Sequence, residues 1–125
     1  MIIGIGTDIV EIARIDSLIK KYANQFLEKV FTAAEIDYCG RGAQPALHFS
    51  GRWAIKEAFY KALPDECQRV SSWKKIEIIS GSGRPVVVVC DRDLSVEMAR
   101  FTIRRIHCSL SHEKSMCTGL VVLED

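Results

Sequence analysis

The chain of 125 residues lacks the features that mark several large classes of protein. No apolar run is long enough to cross a bilayer, and the N-terminus has neither the basic start nor the long apolar core of a secretory signal. The formal net charge is only +1, which argues against a general nucleic-acid-binding surface. We therefore expect no membrane partner and no nucleic-acid partner.

Paired cysteines are also missing. The chain has five, an odd number with irregular spacing and no Cys-x-x-Cys, so reduced thiols in the cytoplasm fit better than a disulfide framework. His107, Cys108 and His112 lie close in sequence, but no second ligand pair completes a zinc site.

Apolar periodicity predicts an α+β fold, with an antiparallel sheet, helices packed on one side of it and one long central helix. The length favours a single domain over residues 1–125. Strands are expected over 1–5, 76–79, 86–90, 104–112 and 116–123, and apolar and polar residues alternate in the fourth of them. Helices are expected over 16–30, 33–40, 45–63 and 91–101, the second of them opened by a capping box of Thr32 and Glu35. A turn is expected over 81–85 and irregular chain over 65–72.

The central helix has two apolar strips. One consists mostly of small residues, so whatever packs there must come close; its members are Leu47, Gly51, Ala54, Ile55, Ala58 and Ala62. The second contains Phe49, Trp53 and Tyr60. A small domain rarely buries two sides of one helix, so the second strip suggests an interface between subunits.

Three residues suggest a phosphate or metal site. Asp8 is expected where the first strand gives way to a loop, while Glu57 and Lys61 lie four residues apart on the central helix. Two carboxylates on separate elements can share one Mg²⁺, with a nearby ammonium neutralising phosphate charge. Spacing alone leaves other interpretations open, because Asp8 can serve as a turn or capping residue and Glu57 with Lys61 as a solvated ion pair.

Three segments, in this order, resemble the motifs of the bacterial holo-(acyl-carrier-protein) synthase family, the small phosphopantetheinyl transferases. They are GIGTDIVEI at 4–12, GRWAIKEAFYKA at 51–62 and IHCSLSH at 106–112. The resemblance covers essentially the whole chain. A sugar-kinase-like ATPase with its phosphate loop at 4–8 is the weaker interpretation, because the sugar-kinase fold needs a much longer chain.

The resemblance implies transfer of 4'-phosphopantetheine from coenzyme A to a serine of apo acyl carrier protein, releasing adenosine 3',5'-bisphosphate. By this likeness Asp8 and Glu57 hold Mg²⁺ on the pyrophosphate, and Lys61 contacts the same phosphates. Arg52 and His112 lie near the adenosine and its 3'-phosphate, and Ser111 is a further phosphate contact. Glu57, or a water it orients, takes the serine proton. The family usually forms a homotrimer with active sites between subunits.

One departure from the family pattern leaves an alternative open. The family commonly has a glycine-rich loop after the second motif, whereas residues 63–68 here contain no glycine. Backbone contacts to coenzyme A from this segment are therefore not assumed. The alternative function is a non-catalytic oligomeric module that binds coenzyme A or a carrier protein.

Overall fold

The structure is a computed structural model that describes residues 1–80 and 83–125. Two residues of the expected 81–85 turn, Gly81 and Ser82, lie outside the described residues. The elements in chain order are β1 (Ile2–Glu11), α1 (Ile12–Tyr22), α2 (Asn24–Val30), α3 (Ala33–Arg41), α4 (Pro45–Ala62), α5 (Asp65–Val70), a 3-10 helix (Trp73–Lys75), β2 (Ile76–Ser80), β3 (Pro85–Val89), α6 (Arg92–Arg100), β4 (Arg105–His112) and β5 (Met116–Glu124).

The strands form antiparallel sheets, as the sequence predicts. Strands β1, β5 and β4 make one sheet in that order, and β2 pairs with β3 in a separate two-stranded ribbon. Cys108 connects the ribbon to the larger sheet by donating from its Sγ to the carbonyl of Pro85. The predicted α+β class is confirmed, although the strands divide between two sheets rather than joining one.

Helix α4 lies almost in backbone contact with the larger sheet. A Cβ added to Gly6 would lie 1.8 Å from the carbonyl oxygen of Ala58, and one added to Gly4 would lie 1.9 Å from that of Ala62. On β5, a Cβ at Gly119 would lie 2.7 Å from the carbonyl oxygen of Ala54. Glycines on the strands therefore face alanines one turn apart on the helix, and the expected close packing of the small-residue strip is confirmed.

The second apolar strip of α4 is covered by the same chain. The rings of Phe49 and Phe31 lie 4.9 Å apart, and the ring of Trp53 stacks on Phe26 and on Trp73 at 5.8 Å and 5.2 Å. Only Tyr60 is substantially exposed. Phe49 and Trp53 thus make most of their contacts within the chain, and the expectation that the strip containing Trp53 marks a subunit interface stays a prediction.

Several expected boundaries also differ. Asp8 does not end a strand, because β1 continues to Glu11 and pairs with β5 along that length. The helix expected over 16–30 begins at Ile12 and breaks at Ala23, which has a positive φ of 48° and separates α1 from α2. Residues 65–70 form helix α5, whose acidic first turn and basic Arg69 suit a helix of that direction.

Thr32 and Glu35 form the predicted capping box of α3. All five cysteines are free thiols. Within the described part of the chain, no helix is both long and apolar enough to span a bilayer.

Candidate active site

The period of strand β1 places Asp8 on the side of the sheet that faces α4. Residues two apart in a strand share a face, so Asp8 lies on the same side as Gly6 and Val10, both of which are buried. There Lys61 reaches back from the last turn of α4. Its Nζ lies 2.9 Å from Asp8 Oδ1 and donates a second hydrogen bond, of 3.1 Å, to the carbonyl of Thr7.

Glu57 lies one helical turn before Lys61 and within the electrostatic reach of Asp8. Burial raises the pKa of Glu57 above its usual value, and the negative charge of Asp8 raises it further. Lys61 and Arg14 act in the opposite direction and lower that pKa. The two carboxylates therefore repel each other across the junction of helix and sheet, and a cation between them would relieve that repulsion.

The donor set at this junction fits Mg²⁺. Oxygen ligands are those the ion prefers, and Mg²⁺ is commonly held by one or two carboxylates, with water and substrate phosphates in the remaining positions. Within residues 1–80 and 83–125 no group of three or more His, Cys, Asp or Glu side chains is arranged to hold a metal. Asp8 and Glu57 thus offer a two-carboxylate site that needs ligands from outside the protein, rather than a closed structural site.

Arg52 forms a second centre on a different side of α4. It precedes Lys61 by nine residues, so the two side chains leave α4 on opposite sides and about 14 Å apart along the helix axis. Its side chain is buried, with 5% exposed, and its Cζ lies 4.5 Å from the ring centroid of Tyr38. Nη2 donates to Ser80 Oγ at 2.8 Å, while Nε is buried and has no hydrogen-bond partner among residues 1–80 and 83–125.

The surroundings of Arg52 suit an anion. No carboxylate forms an ion pair with it in the part of the chain that the structure describes. Arg52 lines a cavity of about 330 Å³ together with His48, Arg84 and His112. A buried guanidinium with a free donor and basic neighbours is a ready partner for a phosphate or carboxylate.

Ser111 lies apart from both carboxylates, on the outer face of the larger sheet. It pairs with Thr118, which pairs in turn with Ile9, the residue after Asp8. Its side chain therefore lies on the face of the sheet opposite to that of Asp8. Ser111 nevertheless lines an open groove of about 580 Å³ that also reaches Asp8 and Lys61.

Comparison with known proteins gives the family. Residues 4–115 match the model of the 4'-phosphopantetheinyl transferase superfamily. The chain is 47% identical over 123 residues to the holo-[acyl-carrier-protein] synthase of Protochlamydia amoebophila, covering 98% of each chain. It is 38% identical over 125 residues to that of Syntrophus aciditrophicus, covering 99% of this chain and 97% of the relative. The chain belongs to the holo-[acyl-carrier-protein] synthase family.

Solved members of the family share the fold over nearly their full length. The Neisseria meningitidis synthase superposes with a TM-score of 0.86 at 31% identity and complete coverage of both chains. The Helicobacter pylori synthase, which was solved in complex with coenzyme A, gives a TM-score of 0.78 at 28% identity over 96% of this chain and 99% of that one. Three expectations are confirmed: the family, the phosphopantetheinyl transferase fold, and the assignment of the chain as an enzyme.

Within this synthase chain, the predicted site residues fall into separate groups. The structure brings Asp8, Glu57 and Lys61 together, and it places Arg52 and His112 around another cavity. Their individual roles stay predictions. His107 is a hydrogen-bonding strand residue, with its Nε2 2.7 Å from Glu124 Oε2.

Sequence reasoning did not find the partners of Arg52. Tyr38, Ser80 and Arg84 belong to three different segments, and none carries a motif that links it to Arg52.

Sequence reasoning also missed a side-chain contact in residues 63–68, the segment without glycine after α4. The Nε2 of Gln68 in α5 donates to the carbonyls of Tyr60 and Leu63, so it closes the C-terminal end of α4 with a side chain.

Proposed function

We propose that the chain transfers 4'-phosphopantetheine from coenzyme A to a serine of apo acyl carrier protein and releases adenosine 3',5'-bisphosphate. The observation that carries the proposal is the meeting of Asp8, Glu57 and Lys61 at the junction of β1 and α4 in a chain of the synthase family. Opposed carboxylates beside an ammonium suit a metal-bound pyrophosphate better than they suit a structural role. The free cysteines support a cytoplasmic location.

Asp8 and Glu57 are the proposed magnesium ligands. When bound, Mg²⁺ would neutralise pyrophosphate charge and make the bisphosphate a better leaving group. Lys61, with its Nζ already at Asp8 Oδ1, would contact the same phosphates and stabilise the charge on the departing oxygen. Glu57, whose pKa is raised by burial, or a water that it orients, would take the proton of the carrier serine.

Arg52 and His112 are proposed to bind the adenosine end of coenzyme A, with Arg52 on the 3'-phosphate and Ser111 as a further phosphate contact. Arg52 and Lys61 point from opposite sides of α4, so one small ligand does not readily span both from a single chain. This separation supports a homotrimer in which Arg52 and His112 of one subunit complete the site formed by Asp8, Glu57 and Lys61 of a neighbour.

The test is an intact-mass measurement. Incubating the chain with apo carrier protein, coenzyme A and Mg²⁺ should add the mass of phosphopantetheine to the carrier. Asp8→Ala and Glu57→Ala should each lower the rate by about 100-fold or more while the oligomer persists. An unchanged carrier mass across several carrier proteins would contradict the proposal, and full activity in both variants would remove the metal assignment.

A non-catalytic binding module is the second candidate. Its support is the segment after α4, where helix α5 stands in place of a glycine-rich loop. Calorimetric binding of coenzyme A with no transfer to any carrier would favour this candidate over the enzyme.

A further inference from the structure

A fully buried ion pair includes the residue that precedes Glu57 in α4. The Nζ of Lys56 lies 2.7 Å from Glu35 Oε1, and neither side chain has any exposed surface. Burying two charges is costly even when they are paired, and apolar residues of similar size often stabilise a fold equally well. The other contacts of the pair therefore indicate what it does.

The Lys56 ammonium holds two separate stretches of backbone through three carbonyls. Nζ donates to the carbonyls of Val30, Trp73 and Ile76 at 2.9, 2.7 and 3.0 Å. Glu35 adds a fourth contact, because its Oε2 accepts a 2.8 Å hydrogen bond from the amide of Ile78. Two of the three carbonyls, those of Trp73 and Ile76, belong to residues 71–76, which run from the end of α5 to the first residue of β2, so the pair holds this segment against α4.

The same segment is one wall of a cavity that opens beside Glu57. The cavity has a volume of about 400 Å³, and its lining combines aromatic and apolar side chains with two serines; the lining residues include Phe59, Tyr60, Ser71, Ser72, Trp73 and Ile76. Pantetheine is a flexible chain of methylenes and amides, which matches a lining of this kind. A pyrophosphate bound at Glu57, as proposed above, would place the start of the pantetheine arm at the mouth of this cavity.

We propose that Glu35 and Lys56 are positioning residues for the pantetheine arm of coenzyme A. They fix the Ser71–Ile76 segment as the wall of the cavity beside Glu57, and this wall orients the arm. The inference rests on the proposed function and deepens it. It predicts that loosening the wall weakens binding of the part of coenzyme A beyond the pyrophosphate and leaves binding of the adenosine part unchanged.

The test compares two variants of the full chain. Glu35→Gln leaves Lys56 to donate to the three carbonyls, whereas the double variant Glu35→Gln with Lys56→Met is uncharged and leaves the Trp73 and Ile76 carbonyls without that donor. We expect the double variant to raise KM for coenzyme A by about 10-fold, with a smaller change in kcat. Its affinity for adenosine 3',5'-bisphosphate, which lacks the arm, should stay within about twofold of the original. Glu35→Gln should change KM much less.

Arg100→Met is the matched control, because it removes an exposed pair with Glu97 on α6. An unchanged KM in a folded double variant, or an equal loss of affinity for the bisphosphate, would overturn the inference. If the double variant does not fold, hydrogen exchange of the original protein decides. Amides of residues 71–76 should gain protection with coenzyme A and not with the bisphosphate, and equal protection would overturn the inference. Absence of transfer by the original protein would instead count against the proposed function.

Discussion

Glu57, as a proposed metal ligand, has to meet two requirements that conflict. A metal ligand must be ionised, yet burial and the charge of Asp8 both favour the protonated form and raise its pKa. A carboxyl whose pKa is raised on folding stabilises the fold fully at pH values below its unfolded pKa, and this contribution is lost as the pH rises through the folded value. At neutral pH the ionised Glu57 is therefore a source of instability in the metal-free protein.

Replacing Glu57 by glutamine should consequently separate stability from activity. We expect Glu57→Gln to raise the free energy of unfolding of the metal-free protein near pH 8 and to abolish most transfer. The gain should shrink as the pH is lowered through the raised pKa of Glu57, because the carboxyl of the original protein then becomes protonated. Urea unfolding at several pH values measures the effect. A gain that is the same at every pH would contradict the assigned cause.

Cys39 should make the stability of the fold depend on pH in the alkaline range. Burial raises the pKa of its thiol from 9.0 to about 11, with Arg52 lowering it and Glu35 raising it to lesser extents. Because the folded pKa lies above the unfolded one, the stabilising contribution is complete below pH 9 and is lost as the pH rises toward 11.

The expected result is a steeper alkaline loss of stability in the original protein than in Cys39→Ala. Between about pH 8 and about pH 10 the free energy of unfolding should fall by about 1 kcal/mol more when Cys39 is present. Urea unfolding of both proteins at matched pH values measures the difference. Parallel pH profiles would show that Cys39 titrates alike in the folded and unfolded states.

At the scale of the elements, the junction of β1 and α4 sets the geometry of the site. Gly6 lies two residues before Asp8, and its position over Ala58 fixes the distance between the strand and the helix that carries Glu57. A methyl group at Gly6 would lie 1.8 Å from a backbone oxygen, which no side-chain movement can relieve. The strand and helix would have to separate, and Asp8 would move away from Glu57 and Lys61.

Gly6→Ala should therefore destabilise the fold by about 3 kcal/mol and lower transfer activity even where the chain remains folded. Gly40→Ala is the matched control. A Cβ at Gly40 meets nothing within 4 Å, and alanine in helix α3 should stabilise the chain by about 0.5 kcal/mol. Urea unfolding and the mass assay measure the two effects. Equal stability of the two variants would contradict the close approach of β1 and α4.

The sequence predicted the elements that rest on local signals. The alternation in β4, the capping box at Thr32 and the small-residue strip of α4 are all periodic or local patterns, and all three are found. Helix α5 was missed because six residues with one buried side chain, Cys67, show too short an apolar repeat. The Glu35–Lys56 pair and the neighbours of Arg52 join residues distant in sequence, so no local pattern could reveal them.

At the scale of the whole molecule, the outer face of the larger sheet is an uncovered apolar surface. Helix α4 packs on one face of β1 and β5, whereas the other face exposes Ile5, Ile9 and Leu120. Several large apolar side chains exposed on one face of a sheet are typical of a surface that a partner covers. This face is where we expect the subunits of the proposed homotrimer to meet.

Ile9→Glu should therefore produce a monomer and lower transfer activity sharply, because the Arg52 and His112 cluster would no longer reach the Asp8, Glu57 and Lys61 cluster of a neighbour. Ile9 is 62% exposed in the single chain, so the substitution should not unfold it. Val96→Glu, at a residue 54% exposed on α6, is the matched control and should leave assembly and activity unchanged. Sedimentation velocity and the mass assay report assembly and activity separately. An Ile9→Glu protein that still sediments as the original oligomer would move the interface elsewhere, and an original protein that is monomeric and fully active would remove the shared site.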